Sequence, residues 1–124
     1  MAAPNIANLT TILGVTTSLS LTTSSQTVVN NAASSNKVLK INTIAASNIS
    51  AATAKVTVRY AQGAAGAGTT VALANGIDVT AGSTLVILDK SSTIYLEEAR
   101  SLTALASANS AIDLVISYED ITNV

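Results

Sequence analysis

The stretch Lys55-Val56-Thr57-Val58-Arg59-Tyr60 decides the fold class. Val56, Val58 and Tyr60 alternate with Lys55, Thr57 and Arg59, and a period of two puts each set on one face of a half-buried β-strand. The same alternation returns near the C-terminus, where Ile112, Leu114, Ile116 and Tyr118 interleave with Asp113, Val115, Ser117 and Glu119. Leu9 to Leu13 and Val15 to Thr23 are Thr-rich and β-branched, as strand surfaces favour. Lys37 to Ala46 and Thr84 to Leu88 are more continuously apolar, which predicts central strands covered on both faces.

The punctuation between these runs fits an all-β chain. Asn75-Gly76 separates Thr69–Ala74 from Ile77-Asp78-Val79 and predicts a tight hairpin, because both residues tolerate positive φ. Ala81-Gly82-Ser83, Asp89-Lys90-Ser91-Ser92, 30–36 and 47–52 read as turns and loops. Leu96 to Ala106 holds good helix formers. It is nevertheless entered by the strand-like Ile94-Tyr95-Leu96 and left by the turn cluster Ser107–Ser110, so a strand is favoured there. Eight or so short strands at this spacing predict one antiparallel β-sandwich over residues 1–124, jelly-roll or Ig-like in plan.

Composition narrows the function classes. The 124 residues include no His and no Cys, so disulfides, zinc–thiolate sites and most neutral-pH acid–base or nucleophilic chemistry have no residues to use. Six Lys and Arg stand against seven Asp and Glu, a net charge of −1. Such a balance exerts no long-range pull on nucleic acid or anionic membrane. Charged residues make up 10% of the chain, where about a quarter is usual. Hydrophobic residues reach 48% with no Phe or Trp, so the core is built from small aliphatics and three Tyr. A thin core and a charge-poor surface predict burial completed by neighbouring subunits. No basic n-region opens the chain at Met1–Asn5, and no apolar run reaches 18 residues. Synthesis in a cytoplasm without a cleaved signal is the expectation.

Four arrangements come near to known chemistry. Lys90-Ser91 could form a Ser–Lys pair, but Ser beside Lys is also what a solvated turn contains. Glu97-Glu98 and Glu119-Asp120 are carboxylate pairs, yet strand neighbours point to opposite faces and cannot flank one bond. A hydrolase using Glu97, Glu98 or Asp113 would need a pocket that raises a carboxyl pKa, and a cation shared between chains is the other use for such groups. Gly63-Ala64-Ala65-Gly66-Ala67-Gly68 has the glycine density of a dinucleotide loop. It is followed by Thr69-Thr70-Val71, a strand start instead of a helix, so a flexible inter-strand loop is expected. Lys55 and Arg59 share a face, but no aromatic joins them to make a nucleic-acid surface. They read as a polar strand face that meets an acidic neighbour.

Lys40-Ile41-Asn42-Thr43-Ile44, Ala54 to Tyr60, Gly82-Ser83-Thr84-Leu85-Val86, Tyr95-Leu96-Glu97-Glu98, Ser101-Leu102, Ala106 to Ser110 and Ile116-Ser117-Tyr118-Glu119 carry a resemblance. Across roughly residues 37 to 119 the chain resembles a family of small virion proteins of tailed bacteriophages, notably those of marine cyanobacteria. The family's pattern has Gly-Asp in a tight turn where this chain has Ala99-Arg100, and Ala resists the positive φ of such a turn. The resemblance implies a structural particle component, located in the virion and made in the host cytoplasm, with no active site and no cofactor. Capsid decoration or cement is the first expectation, with a neck or tail accessory role, or a carbohydrate-binding module, as alternatives.

The expected partners are further copies of the chain, a trimer before a dimer, and major capsid or other virion proteins; nucleic acid, membrane, catalytic residues and metal ligands are not expected. Residues 1–36 contain no Lys, Arg, Asp or Glu. They are expected to be an interface arm or a strand pair covered by a neighbour, with Leu9, Ile12, Val15, Leu19, Leu21, Val28 and Val29 as the contact residues.

Overall fold

The computed structural model describes residues 11–122. Strands dominate: β1 Thr11–Ser20, β2 Gln26–Asn31, β3 Lys37–Asn48, β4 Ala54–Ala61, β5 Thr70–Val79, β6 Thr84–Leu88, β7 Ile94–Leu96, β8 Arg100–Ala106 and β9 Ile112–Thr122. Two short 3-10 turns, Ala64–Gly66 and Lys90–Ser92, are the only helical pieces among these residues. The segment Leu96–Ala106, the one place where a helix competes, holds the end of β7, a turn and then β8.

The strands form two antiparallel sheets, one ordered β1-β9-β3-β6 with β7 also on β3, the other β2-β8-β4-β5. First pairs with last, second with second-to-last, third with sixth and fourth with fifth. A long antiparallel ribbon wrapped over itself produces this nested order, which is the jelly roll with β7 added. Of the two plans the sequence allowed, the Ig-like one is set aside.

Alternation places the core. Val56 and Val58 of β4 and Leu102 of β8 are buried in one cluster with Ile41 and Ile44 of β3 and Ile112, Leu114 and Ile116 of β9 from the other sheet. Tyr60 and Tyr118 end these rows half-buried against the same cluster. Each fully buried aliphatic side chain contributes roughly 1.5–3 kcal/mol, which is how a core without Phe or Trp suffices.

Several local expectations are corrected. Asn75-Gly76 is not a hairpin but lies inside β5, where the β4 register jumps between Val56 and Val58. Gly76 takes φ +61 and donates its N–H to Thr57 Oγ1 at 3.1 Å, so the left-handed residue makes a bulge. A hairpin here would require β5 to turn back beside itself, whereas the wrapped ribbon needs the strand to continue. β6 is an edge strand, with Val86 58% exposed, not a central one. Its apolar run has no covering layer on the outer side. The Thr-rich runs Leu9–Leu13 and Val15–Thr23 give one strand, β1, over Thr11–Ser20. Leu9, and the opening Met1–Asn5, lie outside the described residues.

Candidate assembly surface

The near-catalytic arrangements come apart in the structure. Ser91 donates its hydroxyl to Asp89 Oδ1 at 2.6 Å, and its N–H donates to the same oxygen at 3.0 Å. The Ser–Lys reading therefore gives way to a capped turn in which Asp89 and Ser92 cap each other reciprocally. The hydrogen bonds from Ser91, then those from Ser92, hold the Asp89 carboxyl below its ordinary value of 3.8. Glu97 is exposed while Glu98 is buried, so the pair does point to opposite sides. Glu98 Oε2 accepts the Asn36 N–H at 2.9 Å, which ties the β7–β8 turn to the β2–β3 loop. Asp120 pairs with Lys37 at 3.0 Å, and its neighbour Glu119 faces the other way. Among the described residues no three His, Cys, Asp or Glu converge on a point that could hold a metal ion.

Lys55 meets the acidic partner expected of it: Asp78 lies directly opposite in the β4–β5 register, at 2.6 Å. Both side chains are largely exposed, so the pair contributes at most about 1 kcal/mol.

The glycine-rich segment is not a free loop. It connects β4 to β5 as their hairpin and folds back over the outer face of the second sheet. Ser101 Oγ accepts the Gly66 N–H at 2.8 Å and donates to the Gly63 carbonyl at 2.8 Å, while Ala65 N–H donates to Asn30 Oδ1 at 2.8 Å. Gly66 has φ +78, and a Cβ there would sit 3.1 Å from the Thr103 methyl. Its glycine serves close packing on β8 and not the cradling of a phosphate.

The seven expected interface residues divide. Leu21 is fully buried and Val29 nearly so, both within the chain's own core. They hold the two sheets together and have no surface to offer a neighbour. Leu19 and Val28 pack partly on the same core, and Val15 is half-buried. Ile12 alone among the described members is open, at 56% exposure. Residues 11–31 are thus neither an arm nor a strand pair: β1 and β2 are edge strands of opposite sheets.

Other exposed apolar side chains were not legible as such. Val86 and Val115 flank Ala45 on the outer face of the first sheet, in register across β6, β3 and β9. At the open side between β5 and β7, Tyr60, Val71, Leu73, Ile94 and Tyr95, together with Gln62, line a mostly apolar groove of about 370 Å³. Two of the three tyrosines meet there, brought from opposite sheets.

The fold and surface define a jelly-roll sandwich with apolar outer positions and no cluster of three or more His, Cys, Asp or Glu among the described residues. No protein-family model matches the sequence, and no curated protein matches it.

Proposed function

We propose that the chain is a non-enzymatic structural protein of a bacteriophage particle, decorating or cementing the capsid. The observation that carries this reading is the surface. Among the described residues eight large apolar side chains, Leu13, Ile49, Val71, Val86 and Val115 among them, are between 41% and 61% exposed. They occur on a chain of which only 10% is charged. Single exposed apolar residues are ordinary, but here they recur on edges and on one sheet face with few charges between them. Neighbouring copies or lattice proteins would bury them.

The resemblance to small virion proteins of tailed phages points the same way, and the jelly roll is used by capsid domains. Lectins use it too, so the fold by itself does not decide. Decoration asks for many copies, each contributing a modest interface whose effect accumulates over the shell. Co-sedimentation of the purified chain with capsids lacking it tests the proposal. Saturable binding supports a capsid station, and binding only to isolated necks or tails moves the chain to the accessory role. No binding to any particle part removes the reading.

A further inference from the structure

The four sheet edges are not equivalent. On the far side of the first sheet, β6 has five residues and β7 three. In the second sheet, β5 is interrupted by register shifts and carries Asp78, while β2 has six residues and a register shift. Short strands, bulges, charges and covering loops are the devices by which proteins keep edges from pairing. β1 has none of them. It runs ten residues, Thr11–Ser20, without a charge or a proline, and its pairing with β9 shows no register shift. Its other side pairs with no strand among the described residues.

We infer that β1 is the self-association edge, and that its partner is β1 of a second copy, antiparallel across a two-fold axis perpendicular to the sheet. This inference deepens the assembly reading above and rests on it for its biological meaning.

The geometry limits the register. A two-fold perpendicular to the sheet keeps core-side residues on the core side, so odd positions must face odd positions and even must face even. The register centred on Thr16 sets Leu13 opposite the second copy's Leu19, and Val15 opposite its Thr17. On the outer side, Thr16 faces its own equivalent and Gly14 faces Ser18. Leucine thus meets leucine where Leu13 is 56% exposed and Leu19 only half-covered. Threonine meets threonine on the solvent side, a favourable cross-strand pair.

Such an interface is isologous and closes at two. The trimer expected from the sequence would need β1 against a different edge, and every other edge is short, bulged or charged. The two first sheets then become one continuous sheet.

The test is sedimentation of the full-length chain and of Thr16→Lys, an exposed outer-face position whose substitution leaves the monomer's core untouched. The unsubstituted chain should be a dimer at micromolar concentration. Thr16→Lys puts two ammonium groups opposite each other and should weaken dimerisation at least about tenfold, with an unchanged circular dichroism spectrum. Mixing Thr16→Lys with Thr16→Glu should restore dimers. Leu13→Lys, which sets an ammonium against the second copy's Leu19 and is 56% exposed in the monomer, serves as a second variant if the first does not fold. A monomeric parent chain, or a dimer indifferent to both lysines, overturns the inference. Particle composition is measured separately, so a dimer absent from particles would count against the phage role and leave the β1 pairing standing.

Discussion

Asn31, at the end of β2, donates its Nδ2 to the Leu96 carbonyl of β7 at 2.9 Å, across the gap between the two sheets. The same nitrogen donates to the Lys37 carbonyl at 3.0 Å, and Ser35 donates to Asn31 Oδ1. One 2% exposed amide therefore fastens one sheet to the other at the start of β3. Asn48 repeats the device at the far end of β3, donating to the Val79 carbonyl of β5 at 2.8 Å. Asn31→Ala strands buried carbonyls and should cost about 1–3 kcal/mol per group left without a partner, read from urea unfolding. A change within a few tenths of a kcal/mol would show that water replaces the amide.

Leu21 and Ile12 were expected to serve one interface and instead separate cleanly. Leu21→Ala should destabilise the isolated chain by about 2–5 kcal/mol, as a buried leucine does. Ile12→Ala should leave the stability of the isolated monomer within about 0.5 kcal/mol, as exposed substitutions do. For the same reason, deletion of residues 1–23 should unfold the sandwich, because it removes all of β1 together with Leu21. A truncated chain with native circular dichroism would contradict the placement of Leu21.

Ala99 sits at φ +60 in the turn before β8, a conformation that favours glycine. The left-handed conformation costs a non-glycine residue about 1–2 kcal/mol, against which glycine loses about 0.5–1 kcal/mol in chain entropy. Ala99→Gly should therefore stabilise by up to about 1 kcal/mol, seen as a raised melting temperature. Gly76→Ala, at φ +61, should do the reverse.

The lowered pKa of Asp89 has a definite sign. Its carboxylate is favoured in the folded state by the Ser91 and Ser92 hydrogen bonds, so it adds stability above the ordinary value of 3.8. That contribution fades as pH falls through the depressed folded value. Carbon-detected titration should find Asp89 ionising below 3.8, and Ser91→Ala should move it back upward. An unshifted Asp89 in the parent chain would show that the turn is not capped in solution.

The strands were legible because Lys55–Tyr60 and Ile112–Glu119 alternate with period two, and one buried face is all such a pattern requires. Asn75-Gly76 misled because positive φ suits a bulge as well as a hairpin, and only the path of the wrapped ribbon chooses between them. The glycine segment looked free because its tethers, Ser101 and Asn30, are more than thirty residues away in sequence. The apolar groove was invisible for the same kind of reason. Tyr60 and Tyr95 share it through the stacking of two sheets, and no local spacing records that. The uncharged character of residues 1–36 was plain, but its meaning was not: Leu21 and Val29 serve the core, and the edge of β1 is what remains for a partner.

As a part of a particle, this jelly roll would act by burying its surface against neighbours. Quantitative mass spectrometry of density-purified particles, with the major capsid protein as internal standard, tests it most directly. A decoration or cement role predicts on the order of hundreds of copies per particle, in fixed ratio to the capsid lattice, since closed symmetric shells repeat each site many times. Purified, infectious particles that contain none of the chain would contradict it.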